Sequence, residues 1–161
     1  MIKVMLVDDQ NLVRKGVRSL LELSEEIEVV AEAADGAEAI RMVPEVGPDV
    51  VLLDMRMPGQ SGLDVLRELA GQDRLPPTII LTTFDDDELV LAGIQAGARG
   101  YLLKDMEPDE LIASLREIVS GKTVVSRELT GVLARAAIRQ EEGEIEEEQE
   151  QDLFSELTPR E

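Results

Sequence analysis

Five short apolar runs recur along the chain: "IKVMLV" (2–7), "IEVVAEA" (27–33), "DVVLLD" (49–54), "TIILTT" (78–83) and "RGYLLK" (99–104). A strand with one wet face alternates apolar and polar residues. Most of these runs are too continuous for that, so they predict strands buried on both sides. Between the runs the period lengthens to that of a helix. Residues 10–23 bring Leu12, Val13, Val17, Leu20 and Leu21 to one predicted face. Residues 35–46 open on "DGAE", where Asp35 and Glu38 have capping-box spacing. Residues 62–70 and 85–97 read as further helices, the second closing at Gly97. Residues 108–120 open on Pro108, carry Leu111, Ile112, Leu115, Ile118 and Val119 at helical spacing, and have Gly121 behind them.

Five strand–helix pairs predict an α/β fold. The sheet should be five-stranded, parallel and doubly wound, with right-handed crossovers and helices on both faces. Ligand sites in such sheets lie at the carboxyl ends of the strands. There the sequence places Asp8 and Asp9 after the first run, Asp54 at the end of the third, Thr82 and Thr83 at the end of the fourth, and Lys104 at the end of the fifth. With strand order 2-1-3-4-5 the first and third strands are neighbours, and three carboxylates converge. Packed like charges need protonation or a counter-charge. Oxygen-only donors that leave room for water and phosphate suit Mg²⁺.

Beyond Gly121 the pattern changes. Residues of about 127–140 carry Leu129, Val132, Leu133, Ala136 and Ala137 at i, i+3, i+4, i+7 and i+8, a C-terminal linker helix whose apolar stripe needs another surface. "EEGEIEEEQEQD" (141–152) has eight acids and no base and reads as a solvated linker. The organisation expected is therefore one domain over 1–122 and a linker over 123–161.

Composition narrows the chemistry. The 161 residues include no Cys, His or Trp, one Tyr and two Phe. That excludes disulfides, thiolate or imidazole metal sites, histidine general-base catalysis and a phosphohistidine carrier, and leaves an aliphatic core. The net charge is −19, with 24 acids against 12 bases in 1–122 and 11 against 4 in 123–161. Such a chain is repelled by nucleic acid and anionic membranes. No apolar run approaches the roughly 20 residues that span a bilayer, and the first residues do not resemble a signal peptide, so a cytoplasmic location is expected.

Taken in order, "VDD" (7–9), "LLDMRMPGQSG" (52–62), "LTT" (81–83) and "GARGYLLKD" (97–105) resemble the receiver domain of two-component response regulators over essentially all of residues 1–122. The resemblance implies that Asp54 accepts a phosphoryl group from a phosphohistidine on a sensor histidine kinase. It implies Mg²⁺ held by Asp9, by Asp8 directly or through water, by Asp54 and by the backbone carbonyl of Arg56. Thr82 and Lys104 would bind the phosphoryl oxygens. Thr82 is preferred to Thr83 because its offset from Lys104 fits the family and because alternate strand residues face opposite ways. Thr82 and Tyr101 would form the switch, the ring turning inward as the hydroxyl moves. Two residues depart from the common pattern: Asp105 stands where many receivers have Pro, and Arg56 is long and cationic.

The Lys104-Asp105 pair resembles the subgroup with a LuxR-type (NarL/FixJ-like) output domain. "LTPRE" (157–161) resembles the opening of its helix-turn-helix domain. That implies DNA binding only through a further C-terminal domain. The stripe of the linker helix then packs against the receiver, a second copy or that further domain; a homodimer, with or without dependence on phosphorylation, is the hypothesis held. Three other readings compete. A stand-alone receiver would act through protein contacts alone. A haloacid dehalogenase-like phosphatase needs a second Asp two residues after the nucleophile, where Arg56 stands. A flavodoxin-like cofactor binder needs flavin-stacking aromatics and a phosphate loop after the first strand, and neither is present.

Overall fold

In a computed structural model the chain is described over residues 1–83 and 87–125, and at 130, 131, 134, 135 and 138. The elements run β1 (Ile2–Val7), α1 (Asn11–Glu22), β2 (Ile27–Ala33), α2 (Gly36–Val46), β3 (Val50–Asp54), α3 (Gly62–Gly71), β4 (Thr78–Thr82), α4 (Asp87–Gln95), β5 (Gly100–Leu103), α5 (Pro108–Val119) and β6 (Val124–Val125). All strand pairs are parallel, in the order β2-β1-β3-β4-β5-β6. The doubly wound sheet is therefore as expected, with one addition. β6 extends it at the β5 edge through Gly100–Val124 and Tyr101–Val125 pairings.

Burial on both faces explains the continuous runs: all five residues of β3 are buried. Successive strand residues feed two separate cores. Met5, Val7, Val51, Leu53, Ile80 and Tyr101 pack with residues of α2, α3 and α4. Val4, Leu6, Leu52, Ile79 and Leu102 pack with Leu21 of α1 and Leu111, Leu115 and Ile118 of α5.

The helix ends follow local chemistry. Asp35 caps α2 by accepting from the Glu38 N–H at 2.8 Å, while the Glu38 carboxylate accepts from Ala34 N–H rather than from the cap residue itself. Ser61 and Asp64 form a complete capping box at α3, which the sequence reading did not single out. Pro108 opens α5 as expected.

The face expected of α1 is corrected in part. Val13 and Val17 are half-buried and Leu21 is fully buried as expected, while Leu12 and Leu20 are exposed and Arg14 and Arg18 are half-buried in their stead. The arginines tolerate partial burial because Glu32 on β2 accepts from both, at 2.9 Å from Arg14 and 2.6 Å from Arg18. Burial pushes the Glu32 carboxyl up, but bonds from Arg18 and Arg14 outweigh it and hold it below the usual carboxylate range.

The expected linker helix falls mostly outside the described residues. Thr130, Gly131, Ala134, Arg135 and Ile138 are helical and exposed. The apolar stripe at 129, 132, 133, 136 and 137, the acidic stretch 141–152 and "LTPRE" lie outside the described residues. No helix among the described residues is long and apolar enough to cross a membrane.

Candidate functional site

The carboxyl ends of β1, β3, β4 and β5 form one edge of the sheet. Register brings them level: Val7 pairs with Leu53, Asp54 with Leu81, and Thr82 with Leu103. Asp8 continues β1 by donating its N–H to Ala33 O at 3.1 Å, and Lys104 continues β5 by donating its own to Thr82 O at 2.9 Å. Asp8, Asp9, Asp54, Thr82 and Lys104 therefore all lie at or just past a strand end. The turn after β3 is held tightly. The Gly62 N–H reaches back to Met55 O at 3.0 Å, and a Cβ on Gly62 would lie 2.5 Å from Asp54 O. Only glycine allows the start of α3 to approach β3 so closely.

Asp8 and Asp54 are buried, and Asp9 is more open to solvent. Carboxylate oxygens of the three lie within 4.8 Å of one another. Lys104 Nζ stands between two of them, 3.3 Å from Asp54 Oδ2 and 3.5 Å from Asp8 Oδ2. Asp8 Oδ1 accepts from the Gln10 N–H at 2.9 Å, and Asp54 Oδ1 from the Arg56 N–H at 3.2 Å. Burial pushes the Asp54 carboxyl above the usual range. Asp8 adds to that, while Lys104 and the Arg56 N–H pull it back.

Three carboxylates against one ammonium leave two negative charges in a half-buried pocket, which one divalent cation offsets. The three carboxylates would hold Mg²⁺ directly or through a water, and the donor set is all oxygen, as that ion prefers. The residues present thus fit the ion expected from the sequence.

The remaining expected residues sit as follows. Arg56 lies in the turn after β3 with its side chain outward. Thr82 is half-buried at the end of β4, while Thr83 is exposed one residue past the strand rather than in it. Tyr101 is fully buried in β5, its hydroxyl directed at the backbone of Ile94 without reaching hydrogen-bond geometry. Burial pushes its phenol well above the ordinary value. Gly93 of α4 makes room for it: a Cβ there would fall 1.7 Å from the Tyr101 hydroxyl. The described residues contain no cis peptide, so Lys104–Asp105 is trans.

Residues 4–116 match the model of the response regulator receiver domain. The chain belongs to that family. It is 45% identical over 159 residues to the nitrate/nitrite response regulator protein NarP of Escherichia coli (strain K12), covering 99% of this chain and 70% of NarP. It is 37% identical over 158 residues to NarL of the same strain, covering 98% of this chain and 70% of NarL. Among solved structures it resembles a LuxR-family two-component response regulator from Aurantimonas sp. SI85-9A1, with a TM-score of 0.78 and 34% identity over 84% of this chain and 97% of that one. The receiver is thus homologous to two-component regulators of transcription, a class whose partner is a sensor kinase. Receiver domains of response regulators are in general signalling modules.

One residue of this edge was missed by sequence reasoning. Arg14 donates through Nη1 to Asp8 O at 2.6 Å, through Nε to Glu32 and through Nη2 to Asn11 Oδ1 at 2.5 Å. Nothing in a helical period marks it, because two of its three partners, Asp8 just past β1 and Glu32 on β2, lie outside α1.

Proposed function

We propose that this receiver accepts a phosphoryl group on Asp54 from a phosphohistidine of a sensor histidine kinase and relays that state to an output domain that binds DNA and controls transcription. The observation that carries the reading is the convergence of Asp8, Asp9, Asp54 and Lys104 on one sheet edge.

An Asp54 carboxylate oxygen attacks phosphorus, the phosphorus–nitrogen bond of the donor breaks, and its electron pair returns to the imidazole, which takes up a proton. The product is an aspartyl phosphate. Lys104 Nζ, already held between Asp8 and Asp54, binds a phosphoryl oxygen, and the Thr82 hydroxyl donates to another. Asp8, Asp9, Asp54 and the Arg56 carbonyl would hold Mg²⁺, which when bound offsets charge on the transferring group. Water attack on the same phosphorus returns the free carboxylate slowly. Thr82 and Tyr101 couple the phosphoryl group to the surface of α4, β5 and α5. Self-association belongs to the same reading, supported by the exposure of Leu12 and Leu23 at 85% and 80%. The reading puts the chain in the cytoplasm, with the kinase's phosphodonor domain.

Intact mass spectrometry after acetyl phosphate with Mg²⁺ tests the chemistry. The parent should gain one phosphoryl group and Asp54→Asn none; an adduct on the variant, or none on the parent, overturns the assignment.

A further inference from the structure

We propose that Arg14, neutralised by Glu32, is a positioning residue for the metal-holding carboxylates: it fixes the peptide unit that joins Asp8 to Asp9. The inference rests on the reading of Asp8 and Asp9 as ligands. A peptide unit is planar, so holding its oxygen sets the orientation of the residues on either side. Asp8 O belongs to the Asp8–Asp9 peptide, and Arg14 Nη1 holds it at 2.6 Å. Asp8 is further pinned through its N–H on Ala33 O, its Oδ1 on Gln10 N–H and its Oδ2 on Lys104. Asp9 has no comparable bonds of its own in the described structure, so the shared peptide is what aims it.

The arginine is built for this task. It stands in the first turn of α1, its side chain is only 11% exposed, and its planar fork serves three acceptors at once. A lysine offers its three donors from a single nitrogen and does not reproduce a fork that uses Nε, Nη1 and Nη2 separately. A bare guanidinium this near the pocket would repel a divalent cation. Glu32 offsets it with a bond to Nε at 2.9 Å; Arg18 shares Glu32 at 2.6 Å and is balanced in turn by Glu22 at 2.8 Å. Outer partners of metal ligands typically govern affinity by about 10–100-fold.

Mg²⁺ affinity by titration calorimetry tests this on parent, Asp9→Asn, Arg14→Ala, Arg14→Lys and Glu32→Gln, with melting temperatures measured in parallel. Arg14→Ala should weaken Mg²⁺ about tenfold, and Arg14→Lys should recover part of that loss. Glu32→Gln should weaken binding a few-fold, an effect that shrinks as salt screens the uncompensated charge. If the parent binds Mg²⁺ and Asp9→Asn abolishes binding, while the Arg14 and Glu32 variants keep the parent's affinity, the positioning role is overturned and the ligand reading stands. A lowered melting temperature at unchanged affinity overturns it equally, as a purely structural role. If the parent shows no binding that Asp9→Asn removes, both fall. Should Arg14→Ala not fold, Arg14→Lys and Glu32→Gln decide alone.

Discussion

The two faces of the sheet are packed differently. Against α1 and α5 the buried hydrophobic residues are all Val, Leu and Ile, with Ser114 the buried polar residue of α5. Against α2, α3 and α4 they include Met5, Met55 and Met57, three alanines, and a tyrosine whose hydroxyl has no partner. Branched aliphatics in a filled core have few alternative arrangements. Methionine is unbranched and adapts to irregular space, and an unbonded buried hydroxyl is a cost awaiting relief. The face with the methionines includes the turn after Asp54 and carries α4. One side of the domain is packed with branched aliphatics, and the other with side chains whose shape adapts more readily.

The largest test of that contrast is Leu115→Ala. Leu115 is completely buried on the aliphatic face. Urea denaturation should show a loss of about 3 kcal/mol, with phosphoryl uptake per folded molecule unchanged. A much smaller loss would mean that this face also repacks.

Next comes Gly93→Ala on the other face. In an open helix interior this exchange gains about 1 kcal/mol. Here the new methyl would meet the Tyr101 hydroxyl and, at 2.8 Å, Ile80 Cδ1. We expect a net loss of roughly 1–2 kcal/mol from overpacking and displacement of the ring, read as faster nitration of Tyr101 by intact mass. A stabilised variant with a protected ring would show slack where the structure has none.

The smallest effect is expected of Tyr101→Phe. Removing a hydroxyl without a partner should leave stability within about 1 kcal/mol of the parent. A loss above roughly 2 kcal/mol would show the group to be bonded.

The fold was legible wherever burial dominates. β3, with no wet face, wrote itself as "VVLLD". Strand-end chemistry was legible too, because Asp8, Asp9, Asp54, Thr82 and Lys104 interrupt apolar runs at their ends. β6 was not, since two residues are too few to show a period. The α1 face was legible at Val13, Val17 and Leu21 and misjudged at Leu12 and Leu20. The period counts leucines as inward, but here Arg14 and Arg18 take half-buried places beside Glu32. Gly93 and Arg14 share the same invisibility: each matters through an atom on another element. Sequence spacing reports a residue's own helix or strand and not what the next layer brings to it.

Tyr101 is the chain's only tyrosine, and there is no tryptophan. Near-ultraviolet absorption and intrinsic fluorescence, apart from the weak bands of two phenylalanines, therefore originate from one ring sealed beneath α4. Optical spectroscopy on this protein is a single-position measurement without any label, and the position it reports lies in the methionine-containing core beneath α4.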